Sequence, residues 1–346
     1  MRNHQWSVRQ KRTLWLVWFV CLLPILSAHA GFSVEGTQIL DTHGKPFVMR
    51  GVNYPYAWFS HSQNTAAQFS AIASTGSNTV RVVLSSGDVE GWRRTSGAEL
   101  SGIIQLCKEH KLICVLEVHD MTGFGDKDAS GATMQDVITY WTSSDVIAAV
   151  SSQEDYVILN IANEPYGHKL SESLWAKEHK IAIQQLRKEG LTHTLLIDAA
   201  SWGQDGDKIS LKGARDVAQA DSLGNVAFSV HMYQVYSKRK IIRDYLKEFM
   251  SLNLPLVIGE FGPEHFGEPV DEDSILELAG QYGTGYIAWS WSGNNAKTAN
   301  LDMVHDFDIR KPSSWGLRIF YGDDGTLESG FPASVYSINT SKPDAQ

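Results

Sequence analysis

Cysteine is scarce in this 346-residue chain: three residues, at positions 21, 107 and 114, are too few for a disulfide-stapled scaffold. Positive charge is also in short supply. The chain has 30 Lys and Arg against 39 Asp and Glu, a net charge of -9 at pH 7, which argues against nucleic-acid binding through a basic surface. Only one long apolar run occurs, over residues 14–26, so nothing beyond it should cross a membrane. No G-x-G-x-x-G turn follows the first predicted strand, which weakens the open dinucleotide-type sheet as the alternative architecture. No internal repeat or low-complexity linker marks a second module. What remains is ordinary globular composition, 43% apolar and 20% charged, which excludes wholesale disorder, a collagen-like fibre and a coiled coil.

The first thirty residues read as a secretory leader. Arg2, Arg9, Lys11 and Arg12 precede the apolar run, and Ser27-Ala28-His29-Ala30 supplies the small-x-small pattern of a cleavage site. Cleavage after Ala30 would leave one acidic domain, residues 31–346, in an extracellular or periplasmic setting, with no membrane attachment and as a monomer. Its polar end, about 337–346, should fray. Asn339-Thr340-Ser341 is a glycosylation sequon, meaningful only in a eukaryotic host.

Along the mature chain, short β-branched runs alternate with segments of helical periodicity. Strands are predicted over 47–52, 79–84, 113–118, 156–161, 194–197, 226–230, 256–258 and 286–288. Helices are predicted over about 64–75, 97–110, 134–150, 170–189, 208–218, 238–252 and 272–282, with a weaker one after Ser313. Eight such units fit an α/β fold, the (β/α)8 barrel. Residues 31–46, with turns at Glu35-Gly36 and His43-Gly44, should form a small N-terminal β-hairpin capping the barrel floor.

Barrel enzymes place their chemistry where strands end. Here those ends carry Arg81, His119, Asn163-Glu164, Ser201-Trp202, His231-Met232-Tyr233, Gly259-Glu260 and Trp289-Ser290-Trp291. Strands four and seven lie across a barrel from one another, so Glu164 and Glu260 should face each other over a cleft. Two facing carboxylates are the minimum equipment for cleaving a glycosidic bond: one gives a proton to the leaving oxygen, the other attacks or activates water. Arg81, His231 and Tyr233 around Glu260 would favour its ionised form and make it the nucleophile, leaving Glu164 as the acid. Asn163 could bond the sugar 2-hydroxyl. Trp58, Trp202, Trp289 and Trp291 are candidate sugar platforms. An acidic protein suits a neutral polysaccharide, which needs no electrostatic steering.

On these residues the chain resembles glycoside hydrolase family 5. The motifs are Asn78-Thr79-Val80-Arg81, Val118-His119, Asn163-Glu164-Pro165, His231-Met232-Tyr233, Gly259-Glu260-Phe261-Gly262 and Trp289. The resemblance runs over roughly residues 32–326. It implies a retaining mechanism with acid/base Glu164 and nucleophile Glu260, and with Arg81, His119, Asn163, His231, Tyr233 and Trp289 around them. Residues 116–123, 198–205, 258–262, 270–273 and 288–291 are similar to bacterial endo-β-1,4-mannanases within that family, implying β-mannan as the substrate. Mannose differs from glucose in its axial 2-hydroxyl, and His119, Asn163 and Trp202 are the candidates to read it. One stretch departs from the pattern: Tyr54 and Tyr56 stand where those enzymes usually carry histidine, which implies different outer glycone subsites.

Other readings lie beside this one. The same fold and mechanism could act on β-1,4-glucan. A non-catalytic carbohydrate-binding barrel would be expected to lack one carboxylate, and both are present. His119-Asp120 with His231 lacks the spacing of a metal site, and no cofactor is implied. Asp271, Glu272 and Asp273 could hold a surface Ca²⁺, though such runs commonly serve a helix N-terminus. Cys107 and Cys114 could form a disulfide in an oxidising compartment.

Overall fold

The computed structural model describes Met1 and residues 31–337, except 128, 130, 169 and 170. The leader expected over 1–30 (Met1 apart), the tail beyond Ser337 and the sequon at Asn339 lie outside the described residues.

Eight parallel strands close a barrel: β1 Arg50–Tyr54, β2 Thr79–Leu84, β3 Ile113–Val118, β4 Val157–Asn160, β5 Leu195–Asp198, β6 Val226–Met232, β7 Leu256–Phe261 and β8 Gly285–Ala288. They pair in chain order, and β8 returns to β1. Every residue of these strands is buried. That explains why the sequence shows continuous apolar runs here: parallel strands in a barrel are covered on both faces.

The outer ring comprises α1 Thr65–Ser74, α2 Gly97–Glu109, α3 Met134–Trp141, α4 Ser144–Val150, α5 Glu172–Lys188, α6 Ile209–Ala218, α7 Arg239–Met250, α8 Glu272–Tyr282 and α9 Ser314–Tyr321. Ser96 and Glu99 form a reciprocal cap on α2, and Thr133 and Asp136 do the same on α3. The single helix predicted over 134–150 is two. Ser143 turns out of helical geometry (φ -69°, ψ 144°), and its hydroxyl bonds the Tyr140 carbonyl and Asp145. A serine that bonds nearby groups offers the backbone an alternative to the helix.

The barrel interior has two unlike layers. At the bottom Ile113, Val115, Ile158, Leu196, Ala227, Val257 and Ile287 pack with Phe32, Ile39, Phe47 and Met49. Phe32 and Ile39 come from the N-terminal hairpin, Ser33–Glu35 paired with Gln38–Leu40, which closes the floor as the sequence implies. At the top the interior turns polar. Two ring helices fix strand ends there: Trp141 donates its indole N–H to the Ile161 carbonyl (2.8 Å) and Trp175 to the Asp198 carbonyl (3.2 Å).

Cys107 on α2 and Cys114 on β3 are both buried and free. Their thiols meet in the helix–strand interface, where the Cys107 thiol is pushed well above its ordinary value by burial and then by Cys114. The disulfide considered for this pair is therefore not formed. The acidic run at 271–273 serves the start of α8: Asp271 caps the helix by accepting from the Ser274 N–H, and Asp273 pairs with Arg318 at 2.6 Å.

Candidate active site

Arg81, on β2, is the hub of the upper layer and is wholly buried. Its Nη1 donates to Glu260 Oε1 (2.9 Å) and Asn53 (2.9 Å), its Nε to Asn160 (2.8 Å), and its Nη2 to Asn163 (2.7 Å) and Asp198 (3.1 Å). Glu117 stands 3.7 Å away. Burial disfavours the guanidinium charge, but Glu117, Asp198, Glu260 and Glu164 outweigh it and hold Arg81 more firmly protonated than usual. A buried cation is tolerable only when so surrounded.

Glu260, near the end of β7, accepts from Arg81 on one oxygen and from the Tyr233 hydroxyl on the other, at 2.8 Å. Glu164 follows β4 with a left-handed backbone (φ +38°) just before Pro165. Such strain in a side chain-bearing residue persists only where the surroundings enforce it. Here the Glu164 N–H is held by Asp198 Oδ2 (3.3 Å) and its carbonyl by the Gly123 N–H (2.9 Å). Burial raises the Glu164 pKa above the ordinary carboxyl range, the hydrogen-bonded His231 pulls it down in part, and the charge of Glu260 pushes it up again.

His231 stands beside Glu260, as the sequence reading has it, but closer to Glu164: its Nδ1 lies 2.8 Å from Glu164 Oε1 and 3.6 Å from Glu260 Oε2. The pairing of β6 with β7 shifts register between Val230 and His231, and such an irregularity re-aims a side chain. Its Nε2 faces Asp198 Oδ2 at 3.3 Å. Burial opposes its charge, yet the Glu260, Asp198 and Glu164 carboxylates raise its pKa to about 10.

His119 sits at the mouth beside β3, its Nδ1 2.9 Å from Glu117 Oε1 and its Nε2 3.4 Å from Asn163 Nδ2. Trp58 and Trp289 crowd it with ring centroids at 5.0 and 5.9 Å, and Trp92 joins them at 6.0 Å. All three tryptophans are partly exposed. Trp202 is also half-buried, and it lies beside the segment that carries Glu164.

Trp291 does not reach the cleft. It is fully buried, donates to Gln68 Oε1 (2.6 Å) and packs near Phe320. Tyr54 faces outward onto Phe69 of α1, and Tyr56 bonds Glu99 of α2 at 3.1 Å. Their departure from the family pattern therefore sits in the helix packing, not in the cleft. Asp120 points away as well: its Oδ1 takes both Ser85 and Ser86 hydroxyls and the Gly87 and Asp88 N–H groups. It cannot join His119 and His231 around an ion. Among the described residues, the cluster able to hold a metal is Glu164, His231 and Glu260 themselves.

Sequence reasoning missed Asn53, Glu117, Asn160 and Asp198, four wholly buried polar groups of this network, together with Trp92. The first four carry a signal: each is a polar residue inside an otherwise apolar strand run, at the register where side chains point inward.

A closed (β/α)8 barrel with two carboxylates opposed at its C-terminal mouth, beside aromatic rings, is the equipment of a glycoside hydrolase. The comparisons agree. The family model described as cellulase (glycosyl hydrolase family 5) matches residues 40–295, and the chain belongs to that family. It is 44% identical, over 91% of its own length and 71% of the relative's, to a mannan endo-1,4-beta-mannosidase of Cellvibrio japonicus. A Streptomyces lividans protein of the same name is 45% identical, with 90% and 79% covered. The mannohexaose complex of a Thermomonospora fusca beta-mannanase superposes with a TM-score of 0.83, at 40% identity, covering 88% of this chain and 99% of that one.

Proposed function

We propose that the protein is a secreted, endo-acting β-1,4-mannanase that works as a monomer, without metal or cofactor, by a retaining double displacement. The observation that carries the mechanism is the opposition of Glu164 and Glu260, whose surroundings differ. A Glu164 oxygen lies within 4.8 Å of a Glu260 oxygen. Retaining glycosidases hold their carboxyls about 5–5.5 Å apart, and inverting ones hold them wider to admit a water. In the first step a Glu260 oxygen attacks the anomeric carbon. The bond from that carbon to the leaving oxygen breaks, and Glu164 gives its proton to that oxygen. In the second, Glu164 takes a proton from water, the hydroxide attacks the same carbon, and the ester to Glu260 breaks. Two inversions restore the original configuration.

The environments suit these roles. Glu260 accepts from Arg81 and Tyr233, while burial keeps a proton on Glu164 at higher pH than an ordinary carboxyl. His231, held cationic between Glu164 and Asp198, leaves the second Glu164 oxygen for the leaving group. His119 and Asn163, joined at 3.4 Å beside both carboxyls, are the groups we assign to the sugar 2-hydroxyl. Mannan is favoured because the relatives above, which match 91% and 90% of this chain, carry that activity in their names. Secretion rests on the leader pattern.

Reducing ends released by residues 31–346 from unbranched β-1,4-mannan and from β-1,4-glucan test the substrate. Release from mannan alone is expected. Faster release from glucan would keep the two-carboxyl mechanism and overturn the specificity.

A further inference from the structure

We propose that Asp126 is a positioning residue that locks the Trp202 ring as the platform for the leaving-group sugar. The inference rests on the glycosidase reading above and extends it to the side of the cleft where the leaving chain departs. Asp126 lies in the loop after β3, yet a single oxygen, Oδ2, gathers three donors from two other loops. It accepts the Trp202 indole N–H at 2.8 Å, from the loop after β5. It also accepts the backbone N–H of His168 at 3.0 Å and faces His168 Nδ1 at 2.8 Å, in the loop after β4. The donors, Trp202 foremost, hold this carboxyl down at about 2, so it is an anionic acceptor throughout the working range.

Trp202 cannot relax elsewhere. Its backbone is left-handed (φ +54°), a conformation costly for a bulky residue and informative when it occurs beside a site. Its N–H bonds the Tyr166 carbonyl at 2.8 Å, two residues beyond Glu164. Its six-membered ring lies against Gly123, where a Cβ would overlap it, and the Gly123 N–H bonds the Glu164 carbonyl at 2.9 Å. The ring is thus tied from both sides to the segment bearing the proton donor. The acid must reach the oxygen that leaves, and that oxygen belongs to the departing sugar. A flat ring fixed beside Glu164 therefore meets the leaving chain. Trp58, Trp92 and Trp289 gather instead around His119.

The test compares a substrate that leaves with a sugar against one that leaves without. For Asp126→Ala, kcat/KM on mannohexaose is expected to fall about three- to tenfold, the scale of one aromatic stacking contact. On β-mannobiosyl fluoride, whose leaving fluoride needs no platform, it should stay near wild type. Asp126→Asn, which keeps one oxygen for the indole, should restore most of the loss. Trp202→Phe keeps a ring but removes the N–H, so adding Asp126→Ala to it should cost little more. Equal losses on both substrates, no loss on either, or full additivity would overturn the proposal. A wild-type enzyme that prefers gluco-oligosaccharides would refute the mannan reading alone. The same ratio would then be taken on cellohexaose and β-cellobiosyl fluoride.

Discussion

The floor and the mouth of this barrel are built from the same eight strands, yet they obey different rules. The lower interior, with Ile113, Ile158, Leu196 and Val257 against Phe32 and Phe47, is dry and apolar, and its residues need only fill volume. A few positions further along the strands, Arg81, Glu117, Asn160, Asp198 and His231 replace them, all buried and nearly all paired. Such a network adds little net stability over well-packed hydrocarbon, but it becomes costly when one member is lost. The contrast teaches that the floor holds the strands, while the mouth brings two carboxyl groups together in unlike surroundings.

The largest effect that would break this comparison is chemical. Glu260→Ala should lower kcat on polysaccharide by at least about 10³-fold in protein that still folds, a loss far larger than any fall in thermal midpoint from breaking its pair with Arg81, because it removes the nucleophile. Near-normal turnover would refute the assignment.

Stability separates the two regions next. Arg81→Ala takes the guanidinium away from three buried carboxylates, and urea unfolding should show a loss of about 3–5 kcal/mol together with loss of activity. Leu196→Ala, on the floor, should cost a comparable amount of about 2–5 kcal/mol. Its folded fraction should keep a kcat/KM within about twofold of wild type. If the floor variant lost activity in the same proportion as the mouth variant, the division would fail.

The pH dependence sharpens the picture within the mouth. As the acid, Glu164 works only while protonated, so activity should fall as pH rises through its raised pKa. The His231 cation favours the ionised carboxyl. His231→Asn removes that cation, so the Glu164 pKa should rise further and the basic limb of kcat/KM should move to higher pH. A shift to lower pH would contradict the assigned pairing.

The smallest effect concerns neighbouring tryptophans. Trp289→Ala should raise KM on mannan, whereas Trp291→Phe should leave KM unchanged and lower stability modestly, since its indole N–H bonds only Gln68.

Much of this was legible in the sequence. Strands buried on both faces read as continuous apolar runs, and β2 and β3 appear at the very residues predicted. The approach of the two glutamates was legible in strand order, because β4 and β7 stand three strands apart on the ring and their ends can meet over the mouth. Trp291 misled for a physical reason. Alternation would place it with Trp289, but β8 ends at Ala288 and the chain has left the ladder. Tyr54 could have been read better: it adjoins Asn53, which points inward, so it must point out. The shorter contact of His231, to Glu164, was beyond reach, because it depends on a register shift between two strands. The state of the cysteines was equally so, since proximity on a helix and a strand does not fix whether a bond forms.

The most direct test of two opposed carboxyls is to trap the covalent intermediate. A 2-deoxy-2-fluoro-mannobiosyl fluoride should form a slowly hydrolysed ester, and mass spectrometry of the digested protein should find the added sugar on the peptide bearing Glu260. No label on that peptide, or label on the peptide bearing Glu164, would contradict the account.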